Sequence, residues 1–174
     1  MKAYIKSGIL AGIVLFLWGA FSWMALPWHR ATLHNFIDGR AVSDELASNA
    51  LQSGIYVSPM GLSANSEQVK QAYIFASVHL QGAPSSMMPN MVVSLLTQVL
   101  AAILIAYLLS KTTGLSYSKR VKFVLLFALA AGIVTYVPYW NWFCFDTRYT
   151  LVEIADLLLG WLFAGLVLAK CHKL

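Results

Sequence analysis

The sequence predicts a mainly α membrane protein, an antiparallel bundle of four transmembrane helices with a small mixed α/β cap between helices one and two. Three observations lead there. Of 174 residues, 59% are hydrophobic and 11% charged, too apolar for an ordinary soluble domain of that length. Four stretches reach the roughly 20 helical residues needed to cross a hydrocarbon core of about 30 Å. The basic residues also divide unevenly between the flanks of those stretches.

The first span, about residues 7–26, reads SGILAGIVLFLWGAFSWMAL and holds no charge. Lys2 and Lys6 precede it as they would a secretory signal. The run is longer than a signal core, however, and ends among Phe21, Trp23, Met24 and Trp28 in place of an A-x-A cleavage site, so a retained anchor is expected. The second span, about 91–110, is also uncharged, and the third covers about 123–140. The fourth, about 151–169, lies in TLVEIADLLLGWLFAGLVLAK and carries Glu153 and Asp156 near its start. None alternates with the period of two that marks a barrel strand. The connections 111–122 and 141–149 are short enough to make neighbouring spans antiparallel.

Residues 27–90 are too many for a plain connector. Ser43 is a good helix N-cap for SDELASNALQSG, with Asp44 and Glu45 at the positive helix end, Ala47, Ala50 and Leu51 as a weak apolar face and Gly54 as a stop. Strands are expected over 55–58 (IYVS) and 72–80 (AYIFASVHL), the second alternating apolar and polar, and SEQVKQ suits a helical turn. Pro89 fits the first turn of the next helix. The segment is too small to bury much core, so it is expected to rest on the helix ends.

With the amino terminus in the cytoplasm, Lys2, Lys6, Lys111, Lys119, Arg120, Lys122, Lys170 and Lys173 all fall inside, and none of the seven acids does. The positive-inside rule therefore places both termini in the cytoplasm and the cap outside. The net charge of +5 is a topology signal that favours anionic lipid heads, and no nucleic-acid partner is expected. Cys144 and Cys171 fall on opposite sides and there is no C-x-x-C, which excludes a quinone-linked thiol oxidase. Small residues four apart (Gly8 and Gly12, Ala128 and Gly132, Gly160 and Ala164) let helices approach closely, within the bundle or across an oligomer interface.

The candidate site centres on the fourth span. Thr150 and Glu153 match a T-x-x-E capping box, a sufficient structural role for the glutamate. Asp156 lies one turn deeper, where an unpaired carboxylate is costly, so it should face protein and meet a partner. It is either a functional group or half of a structural ion pair with Arg148 or Arg30. His29, Arg30 and His34 leave the first span at the same membrane face and are the ligand-binding candidates to join Arg148, Glu153 and Asp156. With His79, the imidazoles of His29 and His34 suggest a zinc or copper site, although no H-x-x-x-H or H-E-x-x-H motif supports it. No resident cofactor is otherwise implied. Trp28, Trp140, Trp142 and Phe143 read as an interfacial aromatic belt, and Gln98 as an interhelical hydrogen bond. Nucleotide, hydrolase and metalloprotease fingerprints are absent.

The succession WMALPWHRATLHNF, SGIYVSP, YWNWF and YTLVEIADLLLGWLFAGLVLA resembles, over nearly the whole chain, a group of small bacterial inner-membrane proteins without an assigned activity. The resemblance implies four helices in a bacterial envelope and transfers no active site. A long first outer loop and a short second one also resemble claudin-type proteins in layout, but the two outer cysteines of that signature are missing. The expectation is a binding or accessory protein with an outer-leaflet polar pocket between the cap and helices one and four, bound by a lipid, another ligand or an envelope protein. The alternatives are a metal-dependent membrane enzyme using the same residues, and a small oligomeric transporter.

Overall fold

The structure is a computed structural model and describes residues 3–60 and 71–171. Its elements are α1 (Ala3–Ala25), α2 (Gly39–Asn49), β1 (Gly54–Ser58), β2 (Ile74–Val78), α3 (Met88–Leu109), α4 (Tyr117–Phe143) and α5 (Thr147–Cys171), with a 3-10 turn at Arg30–Thr32. They form two compact units, Met1–Leu33 with Ser86–Leu174, and His34–Ser85.

Helices α1, α3, α4 and α5 are each long and apolar enough to cross a membrane. Their bounds differ from the sequence expectation most at α4, which starts six residues early. Lys119, Arg120 and Lys122 lie on its first turns, and Arg120 donates to the Ala169 carbonyl of α5 at 3.3 Å. Pro138 lies inside α4, five residues before its end. The turn into α5 shrinks to Cys144–Asp146, with Cys144 in the left-handed region at φ 56°.

In the bundle α3 packs on α1, α1 on α5 and α5 on α4, whereas α3 and α4 scarcely meet. Glycines set the first contact. A Cβ at Gly8 would lie 2.6 Å from Ile103 Cα, and one at Gly12 would lie 2.4 Å from Val99 Cα, so α1 and α3 touch backbone to backbone. Gly160 of α5 faces Trp18 and Gly132 of α4 faces Leu157. These small residues are thus used for packing within the chain.

Apolar packing is concentrated at one end. Ala11 and Leu15 of α1, Ala102, Ala106 and Leu109 of α3, Val124 of α4, and Ala164 and Leu168 of α5 form the buried core. They occupy the part of the bundle where α1 starts and α5 finishes. Toward the opposite end, the buried side chains are those of Ser22, His29 and Thr150.

In the second unit, β1 and β2 pair antiparallel, from Gly54 opposite Val78 to Ser58 opposite Ile74. Helix α2 starts four residues before the expected Ser43, because Asp38 supplies the cap and accepts from the Ala41 N–H at 2.9 Å. It ends at Asn49, so Gly54 opens β1 and stops no helix. The turn expected over SEQVKQ lies, apart from Gln71, outside the described residues, as do Lys2 and Lys173.

Candidate functional site

Twelve consecutive residues, WGAFSWMALPWH from Trp18 to His29, build one side of the site. Pro27 has no N–H to continue a helix, and α1 has ended by then. The chain turns tightly, closed by the Ala31 N–H on the Pro27 carbonyl at 2.9 Å and the Thr32 hydroxyl on the His29 carbonyl at 2.8 Å. The turn folds His29 back onto α1. Its ring stacks on Trp23 with centroids 4.0 Å apart and planes 10° apart, and only 1% of the residue is exposed. Nε2 lies 3.1 Å from the Ser22 hydroxyl oxygen, which also accepts the Trp28 indole N–H at 2.9 Å.

Helix α5 supplies the other side. Glu153 and Asp156, three residues apart, project to one side of the helix. Each takes one nitrogen of His29: Nδ1 is 3.3 Å from Glu153 Oε1, and Nε2 is 3.5 Å from Asp156 Oδ2. Asp156 Oδ1 also accepts the Trp18 indole N–H at 2.7 Å. Tyr136 of α4 lines the same space as Glu153. The acids are 12% and 14% exposed, so a little over a tenth of each side chain remains accessible.

The cluster is incompletely satisfied. His29 Nδ1 and Glu153 Oε1 are close but poorly aligned, and neither makes a hydrogen bond. Gln98 Oε1 of α3 is likewise buried without a partner. Charge is unbalanced too: two carboxylates face one imidazole, so with both acids ionised a net −1 remains even when the ring is protonated. Both acids and Gln98 line a cavity of ≈ 440 Å³ between α1, α3, α4 and α5. Among the described residues no Lys or Arg lines it. A smaller cavity of ≈ 190 Å³ adjoins it at Gly19, Gln98 and Asp156 and extends along Leu15, Ala101 and Trp161. A groove of ≈ 430 Å³ between α4 and α5 is lined by leucines and Lys122 and offers almost no polar chemistry.

Several expectations change. His29 is a buried bridge between the acids, where a surface position was expected. Arg30 and Arg148 are exposed, and among the described residues neither pairs with an acid, so the arginine partner expected for Asp156 is replaced by His29 and Trp18. The capping box is also corrected. Helix α5 starts four residues earlier than expected, at Thr147, and Asp146 accepts the Tyr149 N–H at 2.9 Å. Thr150 turns its hydroxyl to the Asp146 carbonyl, leaving Glu153 without a capping role. The cavity's described walls are residues of the helical unit.

His34 and His79 belong to the other unit, where His34 is exposed and His79 Nδ1 lies 2.8 Å from the Gly82 carbonyl. Among the described residues no group of three His, Cys, Asp or Glu side chains is placed to hold a metal. The two nitrogens of His29 face different carboxylates, so the three donors do not converge on one point. In the aromatic segment, Trp140 donates to the Thr147 hydroxyl at 3.0 Å, Phe143 packs on Tyr139 and Trp142 is exposed. Trp28 is drawn into the site. Sequence reasoning missed Trp18, Ser22, Trp23 and Tyr136, whose signal is an indole, hydroxyl or phenol placed in an apolar helix where it needs a polar partner.

No protein-family model matches this chain, and comparison with curated proteins and with solved structures gives no match either.

Proposed function

We propose that the chain is an integral membrane binding protein whose cavity between α1, α3, α4 and α5 holds a ligand against Glu153 and Asp156. Its place is the bacterial inner membrane, with both termini cytoplasmic and the cavity near the outer leaflet. The basic flanks described above support this orientation.

One observation carries the binding role. The end of the bundle that lacks an apolar core holds a cavity, and two carboxylates lie on its wall, with a histidine fixed across them from behind. A structural ion pair alone would be enclosed by packed side chains. Here ≈ 440 Å³ is left beside groups whose burial is costly, as is expected where polar atoms await a ligand.

Native mass spectrometry of protein extracted from its own membrane tests the reading. Wild type should carry a small-molecule or lipid adduct that Ser94→Trp, which fills the cavity from α3, loses. Identical adducts on both would refute the role. Orientation is tested with the two exposed thiols. A membrane-impermeant maleimide applied to intact cells should label Cys144 and leave Cys171 unmodified; the reverse would invert the topology.

A further inference from the structure

We infer that this cavity takes the protonated amine head of a cationic amphiphile, admitted sideways between α3 and α4. The inference rests on the binding role proposed above and names the class of ligand.

Charge comes first. Two carboxylates share one imidazole, and among the described residues the cavity lining contains no Lys or Arg. An anion brought here would meet two carboxyl groups in an apolar setting, whereas a cation would pair with their ionised form. Hydrogen-bonding capacity agrees. Glu153 Oε1 and Gln98 Oε1 are buried acceptors without donors, and His29, almost wholly buried, aims an unpartnered Nδ1 into the same cluster. An ammonium group carries donors for both acceptors. A carboxylate, an ether or a hydrocarbon carries none.

The walls accept the rest of such a molecule. Phe16, Trp23 and Tyr136 present aromatic rings, and Met24 and Met91 present thioethers. Aromatic faces attract cations, and methionine adapts to irregular apolar shapes. The adjoining cavity beyond Asp156, bounded by Leu15, Ala101 and Trp161, has the lining of an alkyl slot. Access follows from the helix order: α3 and α4 both wall the cavity but scarcely touch, so the bundle is open on that side. A lipid-dissolved amphiphile can reach the acids through that gap.

The test uses the full chain in lipid nanodiscs, titrated with decylammonium, decanoate, decanol and propylammonium. Binding is read as saturable change in tryptophan fluorescence above lipid-only discs. Decylammonium should bind at least tenfold more tightly than decanoate or decanol. The double variant Glu153→Gln with Asp156→Asn, which keeps side-chain shape, should weaken it at least tenfold while eluting and melting as a folded protein.

Propylammonium separates a membrane-borne ligand from a soluble one, and binding as tight as that of decylammonium would overturn the amphiphile assignment. Equal affinity for decanoate, or full affinity in the double variant, would overturn the cation assignment. In that event, loss of all binding in Ser94→Trp would leave the cavity's binding role standing. No saturable signal from any probe overturns the inference, and the adduct comparison above then decides the binding role by itself. Should the double variant fail to fold, Gln98→Leu replaces it, with an expected loss of at least threefold for decylammonium and none for decanol.

Discussion

Replacing His29 by alanine strips both acids of the partner they share. The ring is 1% exposed and stands 3.3 Å from one carboxylate and 3.5 Å from the other. Removing one member of a buried charge pair typically costs about 3–5 kcal/mol. Glu153 and Asp156 border a cavity that water can occupy, so the low end applies, about 3 kcal/mol. Loss of the ring stacked on Trp23 adds about 0.5–1.5 kcal/mol. In a background with Glu153→Gln and Asp156→Asn, only the stacking and packing loss remains, so the cycle should show a coupling of about 3 kcal/mol. The assay is reversible unfolding in mixed micelles by added dodecyl sulfate, followed by tryptophan fluorescence. A cost below about 1 kcal/mol, or the same cost in both backgrounds, would show that His29 is not energetically linked to the acids.

Three further outcomes are expected. Trp18→Phe keeps the ring but removes the donor to Asp156, and should destabilise by about 1.5–3 kcal/mol; the loss should shrink when Asp156 is already asparagine. Gly12→Ala forces a methyl group to within 2.4 Å of the Val99 backbone, so α1 and α3 must separate, at about 1–3 kcal/mol in the same unfolding assay. Gly54→Ala meets nothing within 4 Å and serves as the control. Asp146→Ala should cost about 1 kcal/mol through loss of the α5 cap. Thr150→Ala should cost less, and the opposite order would restore the capping box.

Hydropathy made the four long helices legible because apolar length is what a membrane crossing demands. It misplaced the start of α4, since Lys119, Arg120 and Lys122 were excluded as charged although they continue the helix. Local caps decided the other ends. Asp38 precedes Ser43 and Asp146 precedes Thr150, and in each case the earlier carboxylate takes the free N–H groups. In the site, the two acids announced themselves by their expense in an apolar span. His29 was among the neighbours expected for them, but the ion pair itself was assigned to Arg30 or Arg148, because a permanent cation looked like the better match. Arg30 and Arg148 are exposed, whereas Pro27 delivers an imidazole into the interior by a turn that no periodicity reveals. Trp18 and Ser22 were read as span filler because an indole or hydroxyl shows its polar end only when its neighbour is known.

The backbone contact at Gly8 and Gly12 has a mechanical consequence. It pins α3 near its middle, at Val99 and Ile103, and so works as a fulcrum. From Val99 to Met88 the helix projects about 17 Å at 1.5 Å per residue, so a tilt of about 5° swings its tip through about 1.5 Å. The swing is about a bond length at the tip, about 1 Å at Met91 and about 0.7 Å at Ser94, and it dies away at Gln98 beside the pivot, so it is felt mainly at the outer part of the cavity wall. A small rocking of one rod therefore suffices to alter the width of the chamber while the alanine-packed end stays clamped.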